Sequence, residues 1–269
     1  MMKSWDYNYH SHTARCGHAL GDDEEYVLSA VKAGFKKMGF SDHVFIPNYE
    51  QPGMRGSYKE LDNYLHSIDV LRRRYKGLID IYAGFEAEYS PLLEPYYKEL
   101  KESGKVDYLI QGQHSYFEND HMIWYTRKYS VYKEIIEAYV KDCIAGMRSG
   151  LFLYLAHPDF FLIFARRFDE VGEWAANEIA KVSLETGVPL EVNMAHARFG
   201  IVDSPSYHDY PCHDFWDIVS RYGCKVVLGV DAHTPEEYTH TRYDVFASFI
   251  KEHSLNLIEP VVEHSKLHR

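Results

Sequence analysis

Several things are scarce in this chain of 269 residues, and each scarcity excludes something. Its four cysteines, Cys16, Cys143, Cys212 and Cys224, are dispersed and form no CxxC pair. Reduced thiols in a cytoplasmic protein are therefore expected, rather than a disulfide framework. No run approaches the ~18 apolar residues of a membrane span, and the opening Met1 to Asp6 lacks the apolar stretch of a secretory signal. Basic residues are outnumbered, 29 Lys and Arg against 40 Asp and Glu, for a formal charge of −11. Such a chain lacks the clustered positive charge that nucleic-acid backbones require, and no nucleic-acid partner is expected. With 10 prolines and 17 glycines there is no linker rich in either, no internal repeat and no low-complexity tract. The expectation is one domain over residues 1–269. No GxGxxG follows the first apolar run, which argues against dinucleotide binding. What is abundant is histidine, at 16, the side chain most used to ligate metals.

Along the chain, short apolar runs alternate with stretches of helical period. The runs are Trp5–Tyr9, Met38–Ser41, Leu78–Phe85, Val106–Ile110, Leu151–Ala156, Val188–Val192 and Cys224–Val230. Helices are expected over about Asp22–Lys37, Tyr58–Tyr75, from Pro91, Val131–Met147, Asp169–Glu185, His213–Tyr222 and Pro235–Glu252, with a last apolar piece at Leu255–Val262. Alternation of this kind implies an α/β fold with a parallel sheet and right-handed crossovers, and seven or eight units suggest a closed barrel. In such barrels the active site lies at the carboxyl ends of the strands.

Those ends are where the polar residues fall. His10-Ser11-His12 closes the first run, Asp42-His43 the second, Glu86 the third, His114 the fourth and His157 the fifth. Asn193, His196 and Arg198 follow the sixth, and Asp231-Ala232-His233 closes the seventh. Residues i and i+2 of a strand share a face, so each of the two paired motifs can direct both side chains at one ion. In a closed barrel the first and last strands are neighbours, and the pairs meet. A polynuclear metal site is expected. His66, His121, His208, His213, His240, His253, His264 and His268 lie mid-helix, in loops, at helix starts or in the polar tail, and are read as solvent-facing.

The motifs YHSHT with His18 shortly after, FSDH, GFEAEY, GQHS, LAHPD and GVDAH span nearly the whole chain. In order and spacing they resemble the polymerase-and-histidinol-phosphatase (PHP) family of metal-dependent phosphoesterases. The resemblance implies a distorted (β/α)7 TIM-like barrel holding three divalent ions. The implied ligands are His10, His12, Glu86 and Asp231 for one ion, Glu86, His114 and His157 for a second, and His18, His43 and His233 for the third. Zinc suits a His-rich set with carboxylates, as do iron and manganese. The GFEAEY and GQHS forms are most similar to the family's histidinol-phosphate phosphatases. That similarity implies hydrolysis of L-histidinol phosphate, a step of histidine biosynthesis, by a metal-bridging hydroxide. The alternatives are another small phosphate or nucleotide as substrate, an amidohydrolase, or a metal-holding scaffold without turnover.

A phosphate monoester is roughly a dianion, and an acidic protein repels it unless the site is locally positive. Seven neutral imidazoles, one Glu and one Asp with three divalent ions leave the implied cluster at about +4. Arg198 is the expected phosphate clamp, its guanidinium matching phosphate oxygens as a fork; Arg166 and Arg167 are weaker candidates. Asp231, His233 and Asp42 are the candidates for protonating the leaving alcohol. Ser115, Tyr116 and Glu88 are expected to touch substrate, and Phe117, Trp124 and Tyr125 to wall its pocket.

Overall fold

The computed structural model of the chain describes residues 5–128, 130–164, 168–195, 202–204 and 207–265. Eleven strands are described: β1 Tyr7–Asn8, β2 Lys37–Phe40, β3 Asp80–Ala87, β4 Tyr108–Gln111, β5 Ser115–Glu118, β6 His121–Trp124, β7 Leu190–Asn193, β8 Val202–Ser204, β9 Tyr207–Tyr210, β10 Lys225–Gly229 and β11 Asn256–Leu257. The α-helices are α1 Asp23–Lys32, α2 Leu61–Arg74, α3 Glu94–Glu102, α4 Tyr125–Lys128, α5 Tyr132–Ser149, α6 Glu170–Thr186, α7 His213–Tyr222, α8 Glu237–His240 and α9 Tyr243–Glu252.

The helices start where capping chemistry is available. Asp169 accepts from the Val171 and Gly172 amides at the head of α6, satisfying donors with no partner inside the helix. At α1 the Glu25 carboxylate accepts from the Asp22 amide, a capping interaction that also places acidic charge at the positive end of the helix dipole. The expected helix over Pro235–Glu252 is two pieces, α8 and α9. The segment Tyr116–Tyr125 contains most of an antiparallel hairpin, β5–β6, that was not expected; Ser115 faces Trp124 across it.

β8 and β9 form a second antiparallel pair, and the other strands run parallel. β1, β2, β3 and β4 are neighbours in that order, and β7, β10 and β11 form a second parallel set. The expected fifth strand is reduced to one residue, Leu155, bridged to Gln111 on one side and Leu190 on the other. A further bridge joins Ser11 to Ala232, with His12 N donating to Ala232 O at 2.8 Å. The fold is thus α/β with a curled array of parallel strands. Aromatic side chains fill its interior: Tyr9 and Tyr108 are buried, and Tyr108 Oη donates to Tyr9 O at 2.7 Å and to Phe40 O at 3.1 Å. Burying a phenol costs little when its hydroxyl finds an acceptor. All four cysteines are buried and free. No described helix is long and apolar enough to cross a membrane.

Candidate metal centre

Every polar residue singled out at a strand end and described here sits at the carboxyl side of the array. His10 and His12 follow β1, His43 follows β2, Glu86 closes β3, His114 follows β4, His157 follows Leu155, and Asp231 and His233 follow β10. A bridge between His43 and Glu86 extends the β2–β3 pairing to the site. Two of these residues, His157 (φ 31°) and Asp231 (φ 51°), hold left-handed backbone conformations that a side chain makes costly. Both strained positions turn a side chain inward at a strand end.

Glu86 lies at the centre. Its Oε1 is 2.7 Å from His157 Nε2 and 3.5 Å from His114 Nε2. Its Oε2 is 3.0 Å from His43 Nδ1, 3.4 Å from His12 Nε2 and 3.7 Å from His10 Nε2. Asp231 Oδ1 is 3.2 Å from His12 Nε2 and 3.4 Å from His10 Nε2. Space for the Glu86 carboxylate depends on Gly112, where a Cβ would stand 1.8 Å from Oε1. Burial works to raise the Glu86 carboxyl, but His114, His43 and His10 outweigh it and hold it well below the ordinary carboxylate range. Burial drives the His12 and His43 imidazoles the other way, His43 to about 4, which favours the neutral form that ligates metals.

The hydrogen bonds of the donor set leave lone pairs that fit cations. His18 Nδ1 faces the carbonyls of Gly53 (3.1 Å) and Cys16 (3.3 Å), so it carries the proton and leaves Nε2 as a lone pair. His233 Nδ1 faces the Asp231 carbonyl at 3.1 Å, with the same consequence. The two Nε2 atoms then face each other at 3.1 Å, lone pair toward lone pair. His10 and His12 also bring their Nε2 atoms together, at 3.4 Å. Glu86 Oε2 is buried with no hydrogen bond. Converging acceptors of this kind repel one another unless positive charge lies among them. The groups His10–His12–Asp231, His10–Glu86–His157, His43–Glu86–His114 and His12–His43–His233 each place their potential ligand atoms within 4.8 Å of one another. Cys16 joins His12 and Asp42 in another such group.

A cavity of about 410 Å³ opens over this cluster, walled on its apolar side by Met54, Trp124 and Phe160. Of the residues expected to touch substrate or move its proton, Asp231 and His233 line it, while Asp42, Glu88, Ser115 and Tyr116 do not. Asp42 is buried behind His12, accepting from the Thr13 amide and hydroxyl; burial pushes its carboxyl up to about 7. Glu88 is buried against Arg55 Nη2 at 3.2 Å, with His114 Nδ1 3.4 Å away. Burial opposes its ionisation, yet Arg55 and His114 hold it at about 2. Glu88 thus packs against Arg55 and His114, outside the cavity lining. Ser115 is buried with its hydroxyl toward Met122 Sδ. Tyr116 lies along a separate depression beside Lys128 and Asp142. Of the three aromatics expected to wall the pocket, Trp124 lines it; Tyr125 is buried in the core and Phe117 packs on Tyr49. Phe160 also lines it, beside His114 and His157. Arg198, Arg166, Arg167 and His196 lie outside the described residues.

Three residues at the site carry no role in the sequence reading, although Gln113 falls within the GQHS motif. Arg55 sits in a loop with no periodic signal. Gln113 is buried and accepts from the Tyr89 amide at 2.9 Å. Glu191 is buried in β7 with its Oε1 2.8 Å from His10 Nδ1; a carboxylate inside the apolar run Val188–Val192 was the available sign of it.

Residues 8–195 match the sequence model of the PHP domain family. A Deinococcus radiodurans protein named "Probable histidinol-phosphatase" is 28% identical over 252 residues, 90% of each chain. A Bacillus subtilis histidinol-phosphatase is 30% identical over 86 residues, 30% of this chain and 32% of its own. Among solved structures, the fold is similar to that of the Lactococcus lactis histidinol phosphate phosphatase complexed with Zn, L-histidinol and phosphate. The TM-score is 0.73 at 19% identity, covering 96% of this chain and 97% of that one. Sequence motifs, strand-end placement and the family match over most of its length agree, and this chain belongs to the PHP domain family.

Proposed function

We propose that this chain is a divalent-metal-dependent phosphomonoesterase that hydrolyses L-histidinol phosphate to L-histidinol and phosphate in histidine biosynthesis, with a cytoplasmic location. The observation that carries the reading is the set of mutually facing acceptors on Glu86, Asp231 and the surrounding imidazoles beneath an open cavity. It is supported by the name of a relative aligned over 90% of the chain. In this reading residues 1–269 form one distorted (β/α)7 barrel, the bridges at Leu155 and at Ser11–Ala232 standing for its narrowest joins.

His10, His12, Glu86 and Asp231 would hold one ion, Glu86, His114 and His157 a second, and His18, His43 and His233 a third, with zinc preferred and iron or manganese compatible. Bound there, such ions supply Lewis acidity toward phosphoryl oxygens and an acidified water. The residues of the chain do the rest. Trp124, Phe160 and Met54 give the cavity an apolar wall that limits water and offers ring faces to an imidazole. Ala195 lines the same cavity, and Arg198, three residues on, is assigned the phosphate clamp. Asp231 and His233, which face the cavity, are assigned to relay to the leaving alcohol the proton that the acidified water gives up, in preference to the enclosed Asp42.

The test measures metal content per chain together with phosphate release from histidinol phosphate, p-nitrophenyl phosphate and a nucleoside monophosphate. Preferential turnover of histidinol phosphate by metal-loaded protein is expected. Turnover no faster than that of the aryl phosphate removes the substrate assignment, and activity on an amide or lactone with none on phosphate esters removes the reaction class.

A further inference from the structure

Glu191 is fully buried in β7, and among the described residues no lysine or arginine pairs with it. An ionised carboxylate in that position is costly unless donors occupy its lone pairs. Three do. Oε1 lies 2.8 Å from His10 Nδ1, and Oε2 accepts from the His157 amide at 3.1 Å and from Asn193 Nδ2 at 2.9 Å. The Asn193 amide is oriented by its own Oδ1, which accepts from Ala195 N at 2.8 Å. Its Nδ2 therefore faces both carboxylates, with Asp231 Oδ2 at 3.2 Å. The neighbouring strand leaves room for this arrangement: a Cβ on Gly229 would stand 1.8 Å from Glu191 Oε1. Glu191 does not line the cavity, so contact with substrate is not its role.

We infer that Glu191 is a positioning residue for the candidate cation sites, holding His10 in the Nδ1–H tautomer and pinning the left-handed backbone of His157 so that both rings aim Nε2 at Glu86 and Asp231. The inference rests on the metal-binding reading given above. A carboxylate that accepts from the distal nitrogen of a ligating imidazole fixes the ring and raises its basicity. Here one carboxylate serves His10 and His157 directly and Asp231 through Asn193. Glutamine cannot replace it, because its NH2 group would be set against either His10 Nδ1–H or the His157 amide, donor against donor.

The experiment titrates metal-free wild-type and Glu191→Gln protein with Zn²⁺ against a chromophoric chelator, with the melting temperature of each metal-free form recorded separately. Wild type is expected to bind zinc at full stoichiometry. E191Q is expected to bind about 10–100-fold more weakly at the sites that use His10 and His157, with binding at His18, His43 and His233 retained. Wild-type zinc binding with an unchanged E191Q isotherm overturns the positioning role alone; no zinc binding by wild type overturns the metal reading and this inference with it. Equal weakening at all sites, in step with a lowered melting temperature, assigns Glu191 a merely structural role. Should E191Q not fold, imidazole ¹⁵N spectra of zinc-loaded wild type decide the matter: the His10 proton is expected on Nδ1, and a proton on Nε2 overturns the inference.

Discussion

Arg55 and Glu88 are each almost wholly buried, 3.2 Å apart, so neither charge has water as an alternative partner. Arg55 also donates to Val44 O at 3.0 Å and to Gln51 Oε1 at 2.8 Å, tying its loop to the end of β3. Removing one member of such a pair strands the other in a medium that solvates it poorly. Arg55→Met is expected to cost about 3–5 kcal/mol in urea unfolding. Glu86 is the opposite case, a carboxylate surrounded by imidazoles and proposed above to hold cations. Glu86→Ala is expected to abolish phosphate release and lower the metal count per chain; full metal content with retained activity would exclude its bridging role. His66 is exposed on α2, and His66→Ala is expected to stay within about 0.5 kcal/mol of wild-type stability with unchanged activity. These side chains were not equally legible beforehand. Glu86 stands at a strand end, where the pattern is local, whereas Arg55 becomes significant only because the fold carries Glu88 to it.

At the scale of the element, the helices carry recognisable start signals and the strands are marked by apolar runs. The expected helix at His213–Tyr222 coincides with α7, and that at Asp169–Glu185 with α6 to within a residue at each end. Asp169 is the reason α6 begins where it does, and Asp169→Ala is expected to lower stability by about 0.5–2 kcal/mol, read as a shifted denaturation midpoint with unchanged slope. The Leu151–Ala156 run shows where such signals stop. Its composition is that of a strand, yet only Leu155 forms ladder bridges, to Gln111 and Leu190, while Leu153 N and Ala156 N donate to Leu109 O and Gln111 O without building a longer strand. The hairpin β5–β6 was equally hidden. Its aromatics suit a strand or a packed loop, and the structure uses one of them, Trp124, to wall the cavity.

At the scale of the molecule, the candidate site joins segments from both ends of the chain. His10 and Asp231 are 3.4 Å apart across 221 residues, so ions bound there would clamp the curled array where Ser11 meets Ala232. Ligands that bind only the folded state stabilise it by mass action, about 2.7 kcal/mol at a hundredfold excess over Kd. Removing metal with a chelator is therefore expected to lower the melting temperature by about 5–10 °C, restored by added Zn²⁺; an unchanged melting temperature with proven metal loss would show the array to be held without them. The sequence by itself determined the alternation of strands and helices, the family, and the ends at which histidines and carboxylates would gather, because strand periodicity and motif spacing are properties of neighbours in the chain. Only the tertiary structure decided that Glu191 grips His10, that Glu88 is spent on Arg55, that His18 and His233 face each other lone pair to lone pair, and that Trp124 and Phe160 wall the cavity. Those contacts join residues far apart in the chain, and strand register and packing, which no local pattern encodes, set the distances between them.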